Sequence, residues 1–204
     1  MSVHTLIFDL GNVLIAWNPR LIYRNYFSTT TETDWFIDNI ATLEWNEEQD
    51  RGRSIATATE WLLERYPAYE VPIRMYYDHW TEAFPGPISE NVELLETLHQ
   101  QGKHRLLALT NWSAELFPWA RKNYPFLACF EDILVSGEVK MKKPDPEIYE
   151  LLRNRYQLGD FSGCLFIDDS LRNVLAARNL GLDSIHFQNP AQLRQELFLR
   201  GLAP

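Results

Sequence analysis

Five short, mostly apolar runs punctuate this chain, at residues 6–8, 106–109, 133–135, 164–167 and 184–187. Apolar residues on consecutive positions, rather than on alternate ones, suit strands covered on both faces, as in a parallel sheet. Helical patterns separate the later four runs. Ser89 can cap a helix that places Val92, Leu95 and Leu98 on one face, and Gly102 ends it. Asp145-Pro146-Glu147 offers a cap, a proline for the first turn and an acid beside it, followed by a stripe of Ile148, Leu151 and Leu152. Another helix is expected from Ser170 to Gly181, and Pro118 predicts a short or broken one after Asn111.

Residues 18 to 84 have no comparable run. They show helical pieces near 19–28, 32–43, 55–66 and 72–83, with Trp35, Trp45, Trp61 and Trp80 expected as a packing core. Pro85-Gly86-Pro87 marks the return to the sheet. The expected architecture is therefore α/β: a parallel sheet flanked by helices, built from residues 1–15 and 88–204. An all-helical cap, 16–87, is inserted after the first strand.

Composition narrows the function classes. With 46% hydrophobic and 23% charged residues among 204, the chain is globular rather than disordered. A net charge of -9 opposes a nucleic-acid partner, since the densest basic stretch is only Lys140 to Lys143. No run is long enough to span a membrane, and the first residues lack the basic segment of a signal peptide. Cys129 and Cys164 form neither a metal-binding spacing nor a disulfide framework. A cytoplasmic protein is expected, acting on a small molecule, with its oligomeric state left open.

Several runs stop at polar residues: Asp9, Thr110-Asn111, Ser136 and Asp168-Asp169. In open α/β sheets the ligand crevice lies beyond these carboxyl ends. Four segments stand in order: Asp9-Leu10-Gly11-Asn12-Val13, Thr110-Asn111, Lys143-Pro144-Asp145-Pro146-Glu147-Ile148-Tyr149 and Asp168-Asp169-Ser170-Leu171-Arg172-Asn173. Together they resemble the four motifs of the haloacid dehalogenase-like (HAD) hydrolase superfamily. The likeness is to the subgroup holding α-glucose-1-phosphate phosphatases, with 2-haloacid dehalogenases as neighbours. It implies a Rossmann-like sheet with a small helical cap. It also implies a Mg²⁺-dependent phosphatase of small metabolites, sugar phosphates among them, working through an aspartyl-phosphate on Asp9. Lys143 would bridge Asp9 and the phosphoryl oxygens, which Thr110 and Asn111 would also bind. Asp9, Asp168 and the Gly11 carbonyl would hold the metal, with Asp169 binding through water or orienting Asp168.

Physical logic supports the same residues. A carboxylate attacking a phosphate dianion needs positive charge to offset repulsion. Mg²⁺ takes hard oxygen donors and keeps several waters, so two carboxylates and a carbonyl suffice. The structural alternatives are a surface pair between Lys143 and Glu138, and Asp169 as cap of the following helix. One departure stands out. Gly11 occupies the position where related phosphatases carry an acid–base aspartate, a group contributing about 10²–10⁴-fold. Good leaving groups, such as an anomeric phosphate, would suffer least from its loss. Haloacid dehalogenases also lack that aspartate, so displacement of halide by Asp9 is the competing reaction. Against it, a metal-free site that must attract a haloacid carboxylate gains nothing from Asp168 and Asp169. A metabolite-binding protein without turnover is the third reading. Arg51 and Arg53, between two cap helices, could reach a substrate anion, although solvated arginines are the blander account. Residues 17–20 stand at the hinge and are expected to pack it, with lining of the site as the alternative.

Overall fold

In a computed structural model, which describes residues 3–202, the apolar runs assemble as one five-stranded parallel sheet. Its strands are β1 (Thr5–Phe8), β4 (Arg105–Thr110), β5 (Asp132–Val135), β6 (Cys164–Asp168) and β7 (Asp183–His186). Their order in the sheet is β5-β4-β1-β6-β7, with Ile7 in register with Leu107 on one side and Phe166 on the other. Successive side chains of a strand point to opposite faces. Leu6 and Phe8 thus join one apolar cluster with Ala108 and Leu165, while Ile7 joins the other with Leu107 and Phe166. Both faces are covered, which is why the runs have no polar alternation.

Helices α5 (Ser89–Gln101), α6 (Phe117–Asn123), α7 (Ser136–Val139), α8 (Pro146–Arg155), α9 (Leu171–Asn179) and α10 (Pro190–Leu199) complete this half. Ser89 does not cap α5; Ile88 precedes it without a side-chain bond. Gly102 ends the helix at φ +61°, a left-handed conformation that glycine adopts without strain. Asn91 turns into the core instead, donating to the Val13 carbonyl at 2.6 Å.

Between Pro19 and Ala83 the described residues form helices joined by turns, bends and short irregular links, with no strand. The elements are α1 (Thr30–Asn39), α2 (Leu43–Asp50), α3 (Ile55–Arg65) and α4 (Glu70–Asp78), with short 3₁₀ turns between them. The piece expected at 19–28 is only a 3₁₀ turn, Pro19–Tyr23. The one expected at 32–43 stops at Asn39, where Thr42 caps the separate helix α2. A two-residue antiparallel ribbon, β2 (Ile15–Ala16) with β3 (Gly86–Pro87), joins this lobe to the sheet. The tryptophans divide their duties. Trp45 is buried and donates to the Ala58 carbonyl at 3.1 Å, whereas Trp35 and Trp61 lie on the surface, 48% and 39% exposed. Trp61 is covered by the Arg65 guanidinium, 3.8 Å from its ring centre, so its face meets a cation rather than the core.

Candidate active site

The carboxyl ends of β1, β4 and β6 converge on three carboxylates. Oxygens of Asp9, Asp168 and Asp169 lie within 4.8 Å of one another. Lys143 Nζ sits among them, 2.8 Å from Asp9 Oδ1, 2.8 Å from Asp168 Oδ2, and donating to the Leu109 carbonyl at 2.9 Å. This lysine is fully buried, so it is not the surface partner of Glu138. Its backbone is fixed by Asn111, whose side chain accepts from the Lys143 amide at 2.8 Å and donates to its carbonyl at 2.9 Å. Asn111, expected as a substrate ligand, thus gives its side chain to holding the lysine. Thr110 is buried at the end of β4, and its hydroxyl has no protein partner.

Asp168 is held from several sides. Its Oδ1 accepts the Ser170 amide at 2.8 Å, so Asp168 rather than Asp169 takes that orphan donor at the start of α9. Asn173 donates to both of its oxygens, at 3.0 and 3.1 Å. Asn12, in a left-handed conformation at φ 51°, accepts the Trp17 amide at 2.9 Å and hydrogen-bonds Asp169. Gly11 lines the site beside Asp9, and a β-carbon built there meets nothing within 4 Å.

The electrostatics favour a cation. Burial, opposed by Lys143 and reinforced by Asp168 and Asp169, pushes the Asp9 carboxyl up to about 8. Asp169 is raised by burial and by Asp168. One lysine among three carboxylates leaves an excess of negative charge, and the donors are hard oxygens of the kind Mg²⁺ takes. Thr110 Oγ1 at the end of β4 and Asn173 Oδ1 in the chamber wall are buried polar atoms without protein partners.

The chamber above this cluster has a volume of about 410 Å³ and is walled by the helical lobe. Helix α2, absent from the sequence reading, supplies the contacts that hold the lobe down. Buried Glu47 is 2.7 Å from Lys142 Nζ and also pairs with Arg172. Arg51 pairs instead with Asp145 at 2.7 Å, and Arg53 with Gln49 and the Trp45 carbonyl, and neither lines the chamber. Gly137 fits under the loop 112–114, where a β-carbon would come within 2.4 Å of the Ala114 amide.

The Glu47 clamp has a pH signature. Burial would raise its carboxyl, but Arg172 and Lys142 outweigh burial and hold it below the usual 4.5. A depressed folded-state value means the stabilisation is full above pH 4.5 and is lost as pH falls through the folded value. Glu47→Ala would leave Lys142 buried without its partner, costing about 3 kcal/mol at neutral pH. Thermal melts should show that deficit at pH 7 and a smaller one near pH 3; equal deficits at both would contradict the ionic clamp.

Comparisons with known proteins agree with this geometry. The haloacid dehalogenase-like hydrolase family matches residues 3–181. The chain is similar to the sesquiterpene phosphatase astK of Aspergillus oryzae, 26% identical over 197 residues, covering 94% of this chain and 93% of the relative. It is also 27% identical over 201 residues to the drimenol cyclase drtB of Aspergillus calidoustus, covering 96% of this chain but only 36% of that longer protein. Among solved structures, a HAD family enzyme of Bacteroides thetaiotaomicron in complex with magnesium and inorganic phosphate superposes with a TM-score of 0.73. It is 24% identical, covering 92% of this chain and 96% of that one.

Proposed function

This chain belongs to the haloacid dehalogenase-like hydrolases, and on that footing we propose that it is a Mg²⁺-dependent phosphatase of small phosphorylated metabolites, with Asp9 as nucleophile. The observation that carries the reading is buried Lys143 paired at 2.8 Å with both Asp9 and Asp168. A lysine so placed can neutralise phosphoryl oxygens while keeping the nucleophilic carboxylate in position.

Asp9, Asp168, Asp169 and the Gly11 carbonyl would hold Mg²⁺, which when bound offsets the charge of the phosphoryl oxygens. The other steps fall to the chain. The free Asp9 oxygen attacks phosphorus, the bond to the alcohol oxygen breaks, and an aspartyl-phosphate forms. Lys143 and the Thr110 hydroxyl bind the transferring oxygens. Water then attacks phosphorus as the Asp9–P bond breaks, which releases inorganic phosphate and restores the Asp9 carboxylate, and the proton that the water sheds balances the one taken up by the leaving alcohol oxygen. In this reading residues 1–15 and 88–204 are the catalytic core, and 16–87 the cap that excludes bulk water. Two free cysteines, Cys129 and Cys164, suit a cytoplasmic protein. Among the described residues no helix is long and apolar enough to cross a membrane.

Hydrolysis of para-nitrophenyl phosphate, with Mg²⁺ and then with a chelator, tests the proposal. Turnover that needs the cation is expected. Halide release from 2-chloropropionate in chelator would assign the site to dehalogenation, and phosphate binding without turnover would make it a binding protein.

A further inference from the structure

Much of the chamber's lining is aromatic and aliphatic. Trp17, Tyr76, Trp80 and Phe84 come from the cap side and Trp112 and Leu116 from the core. Phe84 and Trp112 stack at 5.2 Å with their planes 6° apart, and Trp80 abuts Phe84 edge-on. Apart from Asp50, the carboxyl groups and several other polar tips that the cap presents here already have partners. Gln49 donates to the Tyr77 hydroxyl at 2.6 Å and accepts from Arg53 at 2.8 Å, and Tyr76 donates to Asn46 at 3.1 Å. Glu47 is held by Lys142 and Arg172. A polyol entering here would lose its hydration and find few free partners, whereas a hydrocarbon would bury its surface against rings. We infer that the site takes phosphate monoesters whose organic part is apolar, a ring or branched hydrocarbon rather than a sugar; this rests on the phosphatase reading of the same site.

In the test, leaving-group acidity does not favour the expected substrate, since the glycerol hydroxyl is the more acidic. Cyclohexylmethyl phosphate and glycerol 1-phosphate are both primary alkyl esters, and kcat/KM should favour the former on the order of 10²-fold. Leu43 lines the mouth of the chamber and is half exposed, so Leu43→Ser should fold and reduce that preference. Calorimetry with n-hexylphosphonate against methylphosphonate supplies a readout besides turnover; tighter hexyl binding with a negative heat-capacity change is expected. Equal binding, or preference for glycerol 1-phosphate or glucose 1-phosphate, would overturn the inference. Failure to hydrolyse any ester would overturn the phosphatase reading instead, and the phosphonate comparison would still decide what the chamber holds.

Gly11 has no group to move a proton, yet a cap carboxyl lines the same chamber. Asp50, the last residue of α2, accepts a hydrogen bond from the Ser113 backbone amide and stands near Glu47, Lys142 and Lys143. Tyr76 and Tyr77 face it from α4. We infer that Asp50 is the acid–base catalyst, supplied by the cap in place of the residue after Leu10. As the ester P–O bond breaks and the Asp9–P bond forms, the Asp50 proton passes to the leaving oxygen. The resulting carboxylate then takes a proton from the attacking water as the Asp9–P bond breaks. Burial and Glu47 push this carboxyl up to about 7 against the pull of the two lysines, a value suited to both duties near neutral pH.

Asp50→Asn separates the roles. First-turnover release of an alkanol should fall by about 10²–10⁴-fold. The nitrophenolate burst from para-nitrophenyl phosphate should survive, because that leaving group departs unprotonated. Asp50→Glu should restore part of the alkanol release. An equal loss in both bursts, or none in either, would overturn the assignment.

Discussion

Lys143→Met is expected to cost the protein its turnover and much of its stability. Nζ is fully buried and lies between Asp9 and Asp168, so removing it leaves two carboxylates in a dry site with no lysine between them. Breaking a buried charge pair from one side costs about 3–5 kcal/mol. Loss of one preorganised electrostatic contact to the transition state costs about 10²–10³-fold in kcat. Burial alone would lower the lysine's pKa, but Asp168 and Asp9 outweigh it and hold the amine above its usual 10.5. The stabilisation is therefore complete below pH 10.5 and is lost as pH rises through the folded-state value. Added Mg²⁺ should raise the variant's Tm more than that of the wild type, since a cation would then relieve unpaired carboxylates. Wild-type kcat in Lys143→Met would contradict the role given to this side chain.

The sheet was legible because its signal is strong. Strands covered on both faces write themselves as unbroken apolar runs, and four of them end at polar residues, three of these beside the crevice. Asp9, Asp168 and Asp169 stand at strand ends, Lys143 was legible through the resemblance that the ordered motifs carry, and the structure brings the four together. Helix α2 could not be read the same way. Its buried residues include Glu47 and Gln49, so it has no apolar stripe, and periodicity cannot see a helix whose inner face is polar. Its start was marked by Thr42, a capping residue that the pattern at 32–43 absorbed. With α2 went Glu47 and Asp50, whose partners lie far away in sequence on the loop 142–143, at Ser113 and at Arg172. Asn12, Asn111 and Asn173 were visible as motif residues, but their positioning bonds depend on side-chain directions that spacing alone does not give. Trp17 lines the chamber, the placement that the sequence offered for 17–20 only as second to packing the hinge.

Asp9→Asn is the second large effect expected. The substitution keeps the shape and can still accept from the Leu10 amide, which bonds Asp9 Oδ1 at 2.7 Å, so the fold should persist. What is lost is the nucleophile, and kcat should fall by roughly 10⁴-fold or more. The most direct measurement is to quench the protein during Mg²⁺-supported turnover of a phosphate-labelled ester and locate the label by peptide. An acyl phosphate sensitive to hydroxylamine on the Asp9 peptide, absent from Asp9→Asn, is the predicted result. Full turnover by Asp9→Asn, or label on another residue, would contradict it.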